Sequence, residues 1–289
     1  MRFYFTISLF ICKGPALVAM FYLLTSVNVF KQQLFAAGAD SLFKNKFHLL
    51  ADSLFENKKY DEAFENYELA ANIYHSEKKW EEEVICMNGA GNALRKNRQY
   101  DKAIEILNKS LNFGIKHLDE NNEYLANTFH IKCLTYWDKG DYYKAGFSED
   151  QAIKRWEIIY GKESHNVAKG YNNLGLCNKN TGNYNKSLEY YIKALKIWEV
   201  VLDSLHPYIA SIINNISVVY TEKGDYDQAL NYSKRAINIT LNTHPVDSIS
   251  LAKKYNNIGM IYIYLNDTAL VYKYYKLTMD IRLIIKTEK

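Results

Sequence analysis

The chain has 289 residues, 48% hydrophobic and 24% charged, with a formal net charge of +4. That balance excludes a disordered chain, and the lack of any run of five basic residues disfavours nucleic-acid binding through a phosphate-neutralising stripe. Only three prolines occur, and so few helix breakers over this length favour long helices.

Residues 1–30 form an apolar leader. Phe3 to Phe30 contains one charge, Lys13, followed by Gly14-Pro15. The second apolar run, Ala16 to Phe30, suits the core of a signal peptide, and the whole span is long enough to cross a bilayer. Only Arg2 sits beside the terminal amine, and no A-x-A site precedes Lys31. A cleaved export peptide, a retained anchor attached through residues 3–30 and a buried N-terminal helix therefore stay open. The first two are preferred, and they put the rest of the chain outside the cytoplasm or at a membrane. Residues 31–39 read as a linker.

Beyond it the chain repeats. Aligned on the tyrosine after a polar turn, it gives Tyr60, Tyr100, Tyr142, Tyr184 and Tyr226, with Thr268 in a degenerate sixth unit; the first spacing is 40 residues and the rest are 42. Nine residues before each stands a small side chain: Ala51, Gly91, Cys133, Gly175, Ser217 and Gly259. Three after stand Ala63, Ala103, Ala145, Ser187 and Ala229, then Val271, and seven further on Ala70, Ser110, Ala152, Ala194, Ala236 and Thr278. Each unit has two apolar-periodic segments around a polar turn, the pattern of a helical hairpin. Glycine inside a helix costs about 1 kcal/mol against alanine, so its use at these sites implies close helix approach. One hairpin cannot bury its apolar stripe, so the units must stack. The expected units run about 40–79, 80–121, 122–163, 164–205, 206–247 and 248–289.

These columns resemble the tetratricopeptide repeat, from about Asp40 to Lys289. The family's usual unit is about 34 residues; this longer one is similar to the branch found in kinesin light chains and bacterial regulatory proteins. The resemblance implies an all-α, right-handed superhelical solenoid of about six hairpins. The added residues fall at the end of each second helix and in the loop after it, as in Asp203-Ser204-Leu205-His206-Pro207. Thr243-His244-Pro245 repeats that signature four residues early, which predicts a longer last loop. The final helix, with Ile281, Leu283, Ile284 and Ile285, lacks a polar outer face; it either meets a partner or leads into a further domain.

In such a solenoid the concave face is lined by each unit's first helix, at positions three and two before the small residue and one and four after it. Two before stand Asn173, Asn215 and Asn257; three before stand Asn88, Asn172, Asn214 and Asn256. An amide offers a donor and an acceptor together, which suits the backbone of an extended peptide. The competing role is a bond to a neighbouring helix. Trp137, four after its small residue, either anchors an aliphatic side chain or packs between repeats. The family's carboxylate clamp needs a lysine three before the small residue and an asparagine one after. Those slots begin His48/Asp52 and Asn88/Asn92, and no unit has the lysine, so capture of a C-terminal carboxylate is not expected.

No catalytic motif is present. Cys12, Cys86, Cys133 and Cys177 form no CxxC pair, so neither a disulfide framework nor a zinc site is expected. Asp61, Asp101, Asp225 and Asp227 fall at hairpin turns and second-helix starts, where acids suit capping and the helix dipole. The chain reads as a non-enzymatic adaptor without cofactor or metal, whose partner is a protein or extended peptide and not nucleic acid. The alternative is a sensory input segment serving a kinase-like or protease-like output domain.

Overall fold

A computed structural model describes residues 44–287. The leader expected over residues 1–30 and the linker over 31–39 lie outside the described residues. Within the described residues there are twelve helices and no strand. They pair as α1 (Lys44–Glu56) with α2 (Tyr60–Ser76), α3 (Trp80–Lys96) with α4 (Tyr100–His117), and α5 (Glu123–Lys139) with α6 (Tyr142–Tyr160). The series continues with α7 (His165–Asn180) and α8 (Tyr184–Val201), α9 (Pro207–Glu222) and α10 (Tyr226–Asn242), and α11 (Ser248–Tyr264) and α12 (Thr268–Thr287). None of these helices is long and apolar enough to cross a membrane.

Each hairpin reverses through one left-handed residue, always two before the tyrosine column. These are Lys58, Arg98, Gly140, Gly182, Gly224 and Asn266, with φ between 56° and 89°. Three second helices open on a capping aspartate: Asp141, Asp225 and Asp267 accept from the backbone N–H groups of Lys144, Gln228 and Leu270 at 3.0–3.2 Å. That satisfies donors the helix leaves unpaired. Asp61 and Asp101 lie instead in first turns, where they face the helix dipole and receive bonds from the next unit's Asn97 and Lys139.

The small columns form the seam of the stack. Ala63, Ala103, Ala145, Ser187 and Ala229 have no exposed surface, and neither do Ala70, Ser110, Ala152, Ala194 and Ala236. A Cβ at Gly91 would stand 2.7 Å from Leu107, and one at Gly175 2.5 Å from the Tyr191 ring. Those glycines let the second helix's bulky side chain reach the first helix's backbone.

Each helix packs on the next along the chain, and first helices also touch across units, α3 on α5 most closely, then α9 on α11 and α1 on α3. Second helices of neighbouring units make no comparable approach. The face lined by first helices is therefore the inner, concave one.

One expectation fails. The last inter-unit loop, residues 243–247, is no longer than the preceding one, residues 202–206. His206 caps α9 with its ring, accepting from the Tyr208 N–H, and Pro207 starts that helix. In the last loop Asp247 takes over the cap, accepting from the Ser250 N–H at 2.9 Å. His244-Pro245 is left within the loop, and α11 begins one residue earlier relative to its small site. The outer face of α12 is apolar and uncovered, as the sequence implies: Tyr272, Met279, Leu283 and Ile284 are 55–70% exposed.

Candidate functional site

The asparagines divide into two groups. In the second half of the stack they bond to one another across units. Asn215 Nδ2 donates to Asn172 Oδ1 at 3.2 Å, and Asn257 Nδ2 donates to Asn214 Oδ1 at 3.1 Å. Each bond joins the residue two before one small site to the residue three before the previous one. All four side chains stay half-buried. Within the described residues the amide ends left over, Nδ2 of Asn172 and Asn214 and Oδ1 of Asn215 and Asn257, carry no protein bond. Asn256 has no side-chain bond at either end. Beside this row, one after each small site, lie Leu176, Val218 and Met260, the last 38% exposed.

The other group is committed inward. Asn88 is buried; its Nδ2 donates to the Tyr124 carbonyl and its Oδ1 accepts from the Ser110 hydroxyl, both at 3.0 Å. Asn173 Nδ2 donates at 2.8 Å to Glu149 Oε1. Glu149 has no exposed surface, and both its oxygens lie 3.0 Å from His130 Nδ1. A buried carboxylate needs such partners, because desolvation without them is expensive. Asn88 and Asn173 thus take the neighbour-bonding role. Trp137 is half-buried, packed edge-on to Tyr142 with ring centres 4.9 Å apart and resting against Cys133, Ala145 and Cys177.

At the other end of the groove lies a cavity of 390 Å³. From α1 come His48 and Asp52, and from α2 Tyr67; α3 supplies Ile85, Asn88, Gly89 and Asn92, and α5 supplies Tyr124, Asn127, His130 and Ile131. Where the last three units have an asparagine two before the small site, this unit has Gly89, and the Tyr67 ring occupies the space a side chain would need, 2.7 Å from where a Cβ would stand. The Tyr67 hydroxyl donates to Asp52 Oδ1 at 2.5 Å. Burial first, then that bond, holds the phenol far above its usual range, so it stays a donor. His48 Nε2 lies 3.9 Å from Asp52 Oδ2. Arg95 is turned away: its guanidinium donates to Asn92 Oδ1 at 3.0 Å and to Asp138 at 2.7 Å.

Of this wall the sequence marks Asn88 as a groove asparagine, and His48, Asp52 and Asn92 only as slots without the clamp's lysine. The acid one after the first small site was the signal for this cavity. Asn127, six before its small site, carried none. Within the described residues, no group of three His, Cys, Asp or Glu side chains could hold a metal ion.

The tetratricopeptide repeat profile matches residues 45–114 and 166–242. A comparison with curated proteins returns no match. Among solved structures, the chain is similar to BtubC (BKLC) from P. vanneervenii, at 22% identity and a TM-score of 0.66, covering 86% of this chain and 93% of that one. It is also similar to a putative kinesin light chain from Podosopora anserina with nearly identical TPR-like repeats, at 18% identity and a TM-score of 0.60, covering 70% and 96%. A Rap protein complexed with Competence and Sporulation Factor matches at 14% identity and a TM-score of 0.55, covering 90% and 81%. At these identities the likeness concerns the fold. With the small-residue seam, the stacked hairpins and the profile over both halves of the array in agreement, the chain belongs to the tetratricopeptide repeat family.

Proposed function

We propose that this chain is a non-enzymatic scaffold that holds an extended segment of a partner protein in the groove lined by its first helices. The observation that carries this reading is the row of half-buried asparagines with fixed, unbonded amide ends beside Leu176, Val218 and Met260. Inter-unit bonds hold Asn172, Asn214, Asn215 and Asn257 in place, so little side-chain entropy is lost on binding. Outward donors and acceptors match a peptide backbone, and the apolar stripe takes side chains. A Rap protein of similar fold has been solved with a bound factor, which is consistent with this use of the fold. The apolar leader over residues 1–30 supports a location outside the cytoplasm or at a membrane. Fractionation of cells expressing the full chain checks that part; recovery in the soluble cytoplasm overturns it.

The test of the groove is a titration of a library of acetylated, amidated decapeptides against the protein and an Asn256→Ala/Met260→Glu variant. Asn256 makes no side-chain bond among the described residues and Met260 is 38% exposed, so the variant is expected to keep the parent's helicity and melting. Peptides bound by the parent and at least tenfold more weakly by the variant support the reading; equal binding moves the site elsewhere. A second reading, an input segment acting on a separate output module, draws on the uncovered apolar face of α12. A partner whose capture is abolished by Met279→Glu and untouched by the groove variant would favour it.

A further inference from the structure

We infer that the cavity between α1, α3 and α5 is a specificity subsite for one lysine or arginine side chain of the peptide held in the groove. This rests on the groove reading above and adds the chemistry of the residue selected. The Asp52 side chain is 54% exposed and, among the described residues, is the one carboxylate on the cavity wall, which holds no lysine or arginine. Tyr67 fixes one carboxylate oxygen by donating to it. Among the described residues the other has no donor closer than His48 Nε2 at 3.9 Å, so a docked cation meets an oriented acceptor. The Arg95 guanidinium is held on Asp138 and Asn92 and does not compete.

The rest of the wall suits a long cationic side chain. Ile85 and Ile131 offer apolar surface to its stem, and Tyr67 and Tyr124 line the same wall; such side chains bury their methylenes while the charged head reaches polar groups. The volume lies at the small end of ligand pockets, which run from roughly 300 to 1,000 Å³, the scale of one anchoring group. An acidic group would be repelled by Asp52. An apolar one would strip water from the carboxylate without replacing its hydrogen bonds, which is unfavourable. Six before their small sites, Lys169 and Lys253 are exposed on the first helices of later units. Positive charge there and negative charge here favour a peptide whose cation sits at the α1 end.

The experiment uses the full chain and acetylated, amidated decapeptides in which each position in turn is Arg, Lys, Leu, Glu or Ala, read by fluorescence anisotropy. The expected result is a preference for Arg or Lys at one position, with binding at least tenfold tighter than the Ala analogue. Asp52→Asn should remove that preference and leave the Ala analogue unchanged. The substitution keeps an oxygen for Tyr67, so far-UV circular dichroism and melting should match the parent. Tyr67→Phe, which leaves the charge in place, should keep the preference. Equal loss of the Arg and Ala peptides in Asp52→Asn overturns the inference. Peptides bound with no cationic preference overturn it too and leave the groove reading standing. No peptide bound at all overturns both.

Discussion

Lys254 is 3% exposed, with Nζ on the Ser250 hydroxyl at 2.5 Å. It stands where the preceding unit has Ile212, which is fully buried. Burial pushes its ammonium down to about 8, below the unfolded value of about 10.4. Below pH 8 both states are charged, and the folded one bears the full desolvation cost. Between about 8 and 10.4 the folded lysine has lost its proton while the unfolded one keeps it, so stability rises with pH. Lys254→Met should therefore stabilise the protein at pH 7 by roughly 1–3 kcal/mol, with the margin shrinking towards pH 10; urea melts at the two values check this. The hairpin turns give a second test. Arg98 sits at φ 61° and Gly182 at φ 78° in equivalent places, and a Cβ at Gly182 would meet nothing within 4 Å. Arg98→Gly should gain about 1 kcal/mol and Gly182→Ala lose about as much, because a side chain is strained in that conformation. Thermal melts of both variants decide it. A third concerns the two kinds of asparagine. Asn173→Ala takes a donor from buried Glu149 and should cost roughly 1–3 kcal/mol, whereas Asn256→Ala breaks no protein bond and should leave the melting point unchanged.

The seam between paired helices was legible in the sequence because packing repeats a residue type at one interval. Gly175 and Gly146 show what the interval adds. Both are helical, but a Cβ at Gly175 would stand 2.5 Å from the fully buried Tyr191 ring, and one at Gly146 no closer than 3.7 Å to Cys177. Gly175→Ala should cost roughly 1–3 kcal/mol by overpacking; Gly146→Ala should gain about 0.5–1 kcal/mol from helix propensity. Denaturation of the pair separates a glycine needed for contact from one that is not. The groove was less legible. The position two before each small site borders both the groove and the previous unit's second helix. What stands there depends on the neighbour: Glu149 draws Asn173 inward, Tyr67 displaces any side chain at Gly89, and Asn215 finds Asn172. The cavity between α1, α3 and α5 was less legible because its wall departs from the repeated columns: Asp52 stands where the last three units have Leu176, Val218 and Met260, and Gly89 where they have Asn173, Asn215 and Asn257. A search for repetition passes over a site made by departing from it.

Across the whole array, stability depends on how many neighbours each hairpin has. Met279 on α12 is 70% exposed, whereas Ile237, one unit earlier in the same place, is 9% exposed because α11 covers it. Within the described residues the hairpin of α11 and α12 is packed on one side. Hydrogen exchange should therefore show least protection in α12 and most in α5 to α8, with a gradient between. A flat profile would mean that the array unfolds as one block or that the outer face of α12 is covered in solution.

The amide ladder also has a sense. In Asn215 to Asn172 and in Asn257 to Asn214, the later unit always donates to the earlier one; Asn173 does the same toward Glu149. The Glu149 carboxylate, which only accepts, holds Asn173 in one rotation, and with the two pairs oriented alike their vacant ends form a sequence of N–H and C=O along the groove. A peptide backbone has its own sequence of those groups, which changes order when the chain is turned end for end. A ligand and its retro-sequence, identical in composition and charge, should therefore bind unequally, and a competition between the two would measure how far the groove tells head from tail.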